Sequence, residues 1–173
     1  MRKRQWWSLL ALILIAGATC LHAAPPDGVL GANFNGEYQD INYRDLNRVD
    51  THWIRGFIAM NRESPANVTA ARAVTESLAA KAQGLHVILT LKWDFRRSRI
   101  PKPGTNEYSR EVATLNALLP RVMGKLDILE IGNEPNWDTP PDERDYRINQ
   151  FYESMAKDVI AFRRSHCETP CST

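Results

Sequence analysis

The chain has 173 residues, enough for one domain and rarely two. Its 43% hydrophobic and 24% charged residues are ordinary globular usage and exclude a disordered, collagen-like or coiled-coil protein. The formal net charge is +2, but Arg2, Lys3 and Arg4 supply the excess at the tip; the remainder is near neutral, shows no basic stripe and argues against a nucleic-acid partner.

Residues 1–24 read as a secretory signal peptide. A basic tip precedes an apolar run from Leu9 to Ala18, which is too short to span a bilayer comfortably. Small residues close the segment at Ala23-Ala24, and Pro25-Pro26 break any helix. The expected fate is cleavage between about Cys20 and Ala24 and a secreted or periplasmic product. An uncleaved membrane anchor and a lipid-modified Cys20 are the alternatives, the latter weakened by the bulk of Thr19. Cys167 and Cys171 then remain, able to pair with each other in an oxidising compartment. With only His166 beside them they are too few for structural zinc. Asn67-Val68-Thr69 is a glycosylation sequon, meaningful only in a eukaryotic secretory pathway.

From there, strand and helix signals alternate. Val29 to Phe34 reads as a strand and Tyr43 to Asp50 as a short helix. His52 to Met60 is a second strand; Asn67 to Gln83 is an Ala-rich helix ended by Gly84. Leu85 to Leu91 is a third strand, followed by a loop from Lys92 to Asn106. Glu107 to Leu119 is a helix, Leu126 to Ile131 a fourth strand, and Asp145 to Arg164 the last helix. Residues 25–165 thus hold four strand–helix units, and residues 166–173 form an irregular tail.

Strands alternating with helices imply right-handed βαβ units and a parallel α/β sheet, and the continuous apolar runs suggest strands covered on both faces. A complete (β/α)8 TIM barrel needs about 250 residues, so a barrel would be truncated to about its first four β/α units. An open doubly wound sheet is the alternative. Gly31 to Gly36 is not a GxGxxG loop, so dinucleotide binding is a poor reading.

The most informative stretch is ILEIGNEPNW, Ile128 to Trp137. With an apolar strand before it and three strand–helix units upstream, it resembles the fourth-strand motif of glycoside hydrolase clan A. These are retaining glycosidases built on a (β/α)8 barrel, among them cellulases, xylosidases and glucanases. Trp53-Ile54-Arg55 in strand two also resembles the clan. The resemblance covers roughly Val29 to Arg164. It implies hydrolysis of an oligo- or polysaccharide by double displacement, with Glu134 as general acid/base and Asn133 holding the sugar's 2-hydroxyl. It implies no cofactor, because two carboxylates do the chemistry.

Alternation along strand four would place Glu130, Gly132 and Glu134 on one face and Asn133 on the other. Glu130, inside the sheet, would need a partner, and Arg55 is the candidate; otherwise Arg55 sits at a strand end in water. Trp93 and Trp137 follow strands three and four, where their rings could stack on a sugar or cap the core. Asn33, Asn35 and Glu37 could add polar contacts, whereas His86 reads as structural. The basic stretch from Lys92 to Arg99 reads as a solvated loop, with an acidic sugar as its alternative partner.

The clan's nucleophile is a second glutamate ending strand seven, which nothing in this sequence matches. The chain alone is therefore expected to be inactive. Two open strand edges would favour self-association. A non-catalytic carbohydrate-binding remnant and an unrelated small secreted α/β protein are the competing readings.

Overall fold

A computed structural model describes residues 31–34, 41–135, 137–144 and 146–166. Residues 1–24, Asn35, Glu37, Cys167 and Cys171 lie outside the described residues. Strand β1 spans Gly31–Asn33, β2 Trp53–Ala59, β3 His86–Lys92 and β4 Ile128–Ile131. Between and after them lie α1 (Tyr43–Arg48), α2 (Arg72–Ala82), α3 (Asn106–Val122) and α4 (Tyr146–His166). The four strands form one parallel sheet in the order β1-β2-β3-β4. A doubly wound sheet places its first strand inside, so that alternative does not match this order.

One face of the sheet carries the core. Ile54, Gly56 and Ile58 of β2 lie opposite Val87, Leu89 and Leu91 of β3, and all six are buried. Val74 and Ala80 of α2, Leu115 and Leu118 of α3, and Ile148 and Met155 of α4 join the same cluster. Gly56 is required by a close approach. A Cβ there would stand 2.7 Å from the Phe34 ring and 3.4 Å from Ser77 Oγ on α2.

The other face differs from the expectation of strands covered on both sides. Burial in β2 alternates strictly, and Trp53, Arg55, Phe57 and Ala59 are only half-buried. Thr90 and Glu130 share that face with Ile88 and Ile128, so its middle is polar rather than apolar.

Helix boundaries shift for local reasons. Asn67 accepts hydrogen bonds from the Ser64 amide (2.7 Å) and hydroxyl (3.0 Å), tying off a turn where the sequence suggested helix. Ala71 is extended, and α2 begins only at Arg72. Thr105 caps α3 by accepting from the Tyr108 amide. That helix runs past Leu119 to Val122, with the exposed Pro120 in its last turn. The last helix extends to His166, whose ring stacks on Phe162 at 3.9 Å.

At the sheet's N-terminal end, Asp127 pins three elements. It accepts from Lys81 Nζ (2.6 Å), the Val87 amide (2.8 Å) and His86 Nδ1 (3.2 Å). Burial works to raise its pKa, but these hydrogen bonds outweigh it and hold the carboxyl below its usual value. A lowered carboxyl pKa stabilises the fold above the unfolded value and loses that contribution as pH falls through the folded one. Stability is therefore expected to drop below about pH 4. Asp127→Asn should flatten this part of a urea-midpoint profile against pH; an unchanged slope would remove Asp127 from the account.

Candidate functional site

The strand-four motif leaves the sheet through two left-handed residues. Gly132 has φ 90° and Glu134 has φ 45°. Glycine takes that conformation freely; a glutamate is uncommon there. The Gly132 amide still donates to Leu91 O at 2.8 Å, so the turn begins directly at the end of the pairing. Tyr152 of α4 fills the space beneath Gly132, and a Cβ there would come within 2.6 Å of its ring. Burial pushes the Tyr152 hydroxyl pKa up to about 12.

This turn corrects the expected alternation. Asn133 does not point away from Glu130; its Oδ1 accepts from Arg55 Nη2 at 2.9 Å. The left-handed Gly132 resets the side-chain direction, so the period of two ends at Ile131. Glu134 is exposed, and Pro135 follows it.

Arg55 and Glu130 meet directly across β3. Glu130 Oε2 accepts from Arg55 Nε (2.9 Å) and Nη2 (2.5 Å), and also from the Thr90 hydroxyl. Arg55 Nε lies 3.0 Å from Thr90 Oγ1 as well. Its guanidinium carbon sits 4.7 Å from the Phe57 ring centre. The side chains are 26% and 36% exposed, so neither charge is fully withdrawn from water. Arg55 therefore lies within the strand in an ion pair, not at a strand end. One guanidinium ties the strand carboxylate to the amide of the Asn133-Glu134 turn.

The two tryptophans separate. Trp137 is 70% exposed beside Glu134's turn, with its ring free to meet a planar ligand. Trp93 is 0% exposed and cannot stack on a sugar. Its ring stands edge-on to Phe151 and Tyr152, and its Nε1 donates to the buried Glu111 at 3.1 Å. The sugar-binding expectation for Trp93 is thus corrected: burying this ring fills the space between β3 and α4. Asn33 is exposed at the end of β1. His86 stacks on Trp53 at 4.6 Å at the opposite end of the strands.

Two contacts at the strand ends go beyond the solvated loop expected from Lys92 to Arg99. Lys92, the last residue of β3, places Nζ 2.9 Å from Asp138 Oδ2, and Asp138 is buried. Asn61 and Asp94 clasp each other: Asn61 Nδ2 donates to Asp94 O (2.7 Å) and the Asp94 amide donates to Asn61 Oδ1 (3.0 Å). Hydrogen bonds from Arg96, with Arg62 nearby, hold the Asp94 carboxyl at a pKa of about 2. The usable signal was position, since Asn61 and Lys92 each fall where a strand signal ends.

No family model matches this sequence, and no curated protein matches it. Among solved structures, the chain is similar to one described as the crystal structure of Clostridium botulinum phage c-st TubZ. That likeness has 13% identity and a TM-score of 0.32, over 73% of this chain and 39% of that chain. A likeness so weak carries no argument. Among the described residues no helix is long and apolar enough to cross a membrane, and no group of three or more His, Cys, Asp or Glu is placed to hold a metal.

Proposed function

We propose that this chain supplies the acid/base half of a retaining glycosidase site, on the first four units of a (β/α)8 barrel, in a secreted or periplasmic protein. The observation that carries the reading is the turn after β4. It leaves Glu134 exposed in a left-handed conformation, beside the exposed Trp137, with Asn133 held by Arg55. A non-glycine residue kept in a sparsely populated region is a feature that concentrates at functional sites. The consecutive order of parallel strands supports the barrel, as does the position of all three residues at the C-terminal ends of the strands.

In this reading Glu134 protonates the glycosidic oxygen as the bond to the leaving sugar breaks, then takes a proton from the water that releases the intermediate. A second carboxylate about 5 Å away attacks the anomeric carbon. No residue of this chain is assigned that role. Trp137 stacks on the apolar face of a sugar ring, and Asn133 donates from its amide to a sugar hydroxyl while its oxygen is occupied by Arg55. The exposed Trp137 also favours a second reading, sugar binding without turnover; release of reducing ends once the chain is joined to a second carboxylate separates the two.

The test is oligosaccharide titration of the full chain followed by tryptophan fluorescence. Trp137→Ala is expected to weaken binding about tenfold or more. Glu134→Gln should bind as well as the parent. Joined to its second carboxylate, the same Gln variant should lose about 10²–10⁴-fold in kcat. Unchanged binding by Trp137→Ala would sink the reading.

A further inference from the structure

Beside the candidate site, at the ends of β2 and β3, lies a cavity of about 690 Å³ lined by Asn61, Arg62, Asp94, Arg96, Arg97 and Ser98. We propose that this cavity binds the carboxylate of an acidic sugar unit, so that the substrate is a uronate-containing glycan. The inference rests on the glycosidase reading and names its substrate class.

Three arginines and one aspartate line it. Asp94 is already spent: Arg96 grips it with Nε on Oδ1 (2.8 Å) and Nη2 on Oδ2 (2.5 Å), and Arg62 Nη2 approaches to 3.4 Å. Arg97 is exposed and makes no hydrogen bond or ion pair among the described residues. Arg96 also lies 3.7 Å from Asp138 Oδ1, so the charge available to a ligand is that of Arg97. An arginine presents a planar fork of donors that matches a carboxylate on two oxygens.

The cavity is built rather than incidental. The mutual clasp of Asn61 and Asp94 fixes its floor to the ends of two adjacent strands. It adjoins the segment that carries the candidate site: Arg96 Nε lies 3.7 Å from Asp138, the neighbour of Trp137. A second cavity, of about 560 Å³, shares Asn61 and Ser98 as a common wall. Its arginines are paired, Arg99 with Asp142 and Glu143, and Arg110 with Glu111. In this reading one sugar unit of the chain presents its acid to Arg97. In a mature surface near neutrality, such a local excess selects an acidic unit without making the whole protein a polyanion binder.

The test is titration of the full chain, at about 0.15 M salt, with an oligouronate, a neutral oligoglucan, a sulfated dextran and polyglutamate. The oligouronate is expected to bind about tenfold tighter than the neutral chain. Arg97→Ala, an exposed position whose circular dichroism should match the parent, should bring the two together. Trp137→Ala should weaken both sugars. Equal affinity for acidic and neutral sugars, or an Arg97→Ala variant that keeps its preference, overturns the carboxylate site and leaves the glycan reading standing. Sulfated dextran binding more tightly than oligouronate also overturns it. Polyglutamate binding as tightly as oligouronate and indifferent to Trp137→Ala overturns both, as does no binding by any probe.

Discussion

Trp93→Ala is expected to lower stability by about 3–5 kcal/mol, a large share of what a domain of this size has to lose. The ring is wholly buried and meets Phe151 and Tyr152 edge-on, with centroids 5.4 Å and 5.6 Å away. Its removal opens a cavity between β3 and α4 and takes a donor from Glu111, which is itself 2% exposed. Arg110 would be left as the only partner to the Glu111 carboxylate recorded among the described residues. Trp93→Phe separates the two effects. It keeps most of the packing and loses the indole N–H, so its expected cost is about 1–3 kcal/mol. Urea unfolding followed by far-ultraviolet circular dichroism measures both. A loss under about 1 kcal/mol for the alanine variant would return Trp93 to the candidates for sugar stacking.

Gly132→Ala carries the second large effect, roughly 2–5 kcal/mol of destabilisation. Two costs combine. Gly132 has φ 90°, where a side chain is strained. The new methyl group would also stand 2.6 Å from the Tyr152 ring, and that ring cannot swing freely because its hydroxyl accepts from the Trp93 amide at 3.4 Å. Gly84→Ala is the control. Gly84 has φ 89°, but nothing lies within 4 Å of its Cβ position, so it carries the conformational cost alone. The difference between the two variants in a denaturant titration isolates the collision with Tyr152. Equal losses would show that the ring yields without resistance.

Much of the layout was legible because parallel strands and amphipathic helices announce themselves locally. Strand β2 and β3 lie close to their expected bounds, and the sheet is parallel with helices between strands. Arg55 could be matched to Glu130 for a simple reason. Each is an ionised side chain within an apolar strand, and such a group calls for a partner of opposite charge. The alternation through Glu134 was not legible in the same way. The period of two assumes extended backbone, and Gly132 abandons it one residue after β4 ends. Trp93 and Trp137 occupy equivalent sequence contexts, each shortly after a strand. Only the packing of α4, which brings Phe151 and Tyr152 onto one ring and leaves the other exposed, tells them apart. The same limit hid the clasp of Asn61 with Asp94, a contact between two loop ends far apart in the chain.

Each strand pairs only with strands adjacent to it in sequence, so every new pairing closes a loop that holds a single unit of the repeat. Loop-closure entropy rises slowly with length, and chains are made N-terminus first. The sheet can therefore grow by addition in the order of synthesis, each strand docking onto an edge already in place. Arg55 enters this order early, on β2, whereas its partners Glu130 and Asn133 arrive with the fourth strand and the turn beyond it. Until then the guanidinium meets Thr90 and Phe57 on that face. The fourth strand to dock is thus the one that assembles the candidate site, and an intact Arg55–Glu130–Asn133 network reports that β4 has joined the sheet.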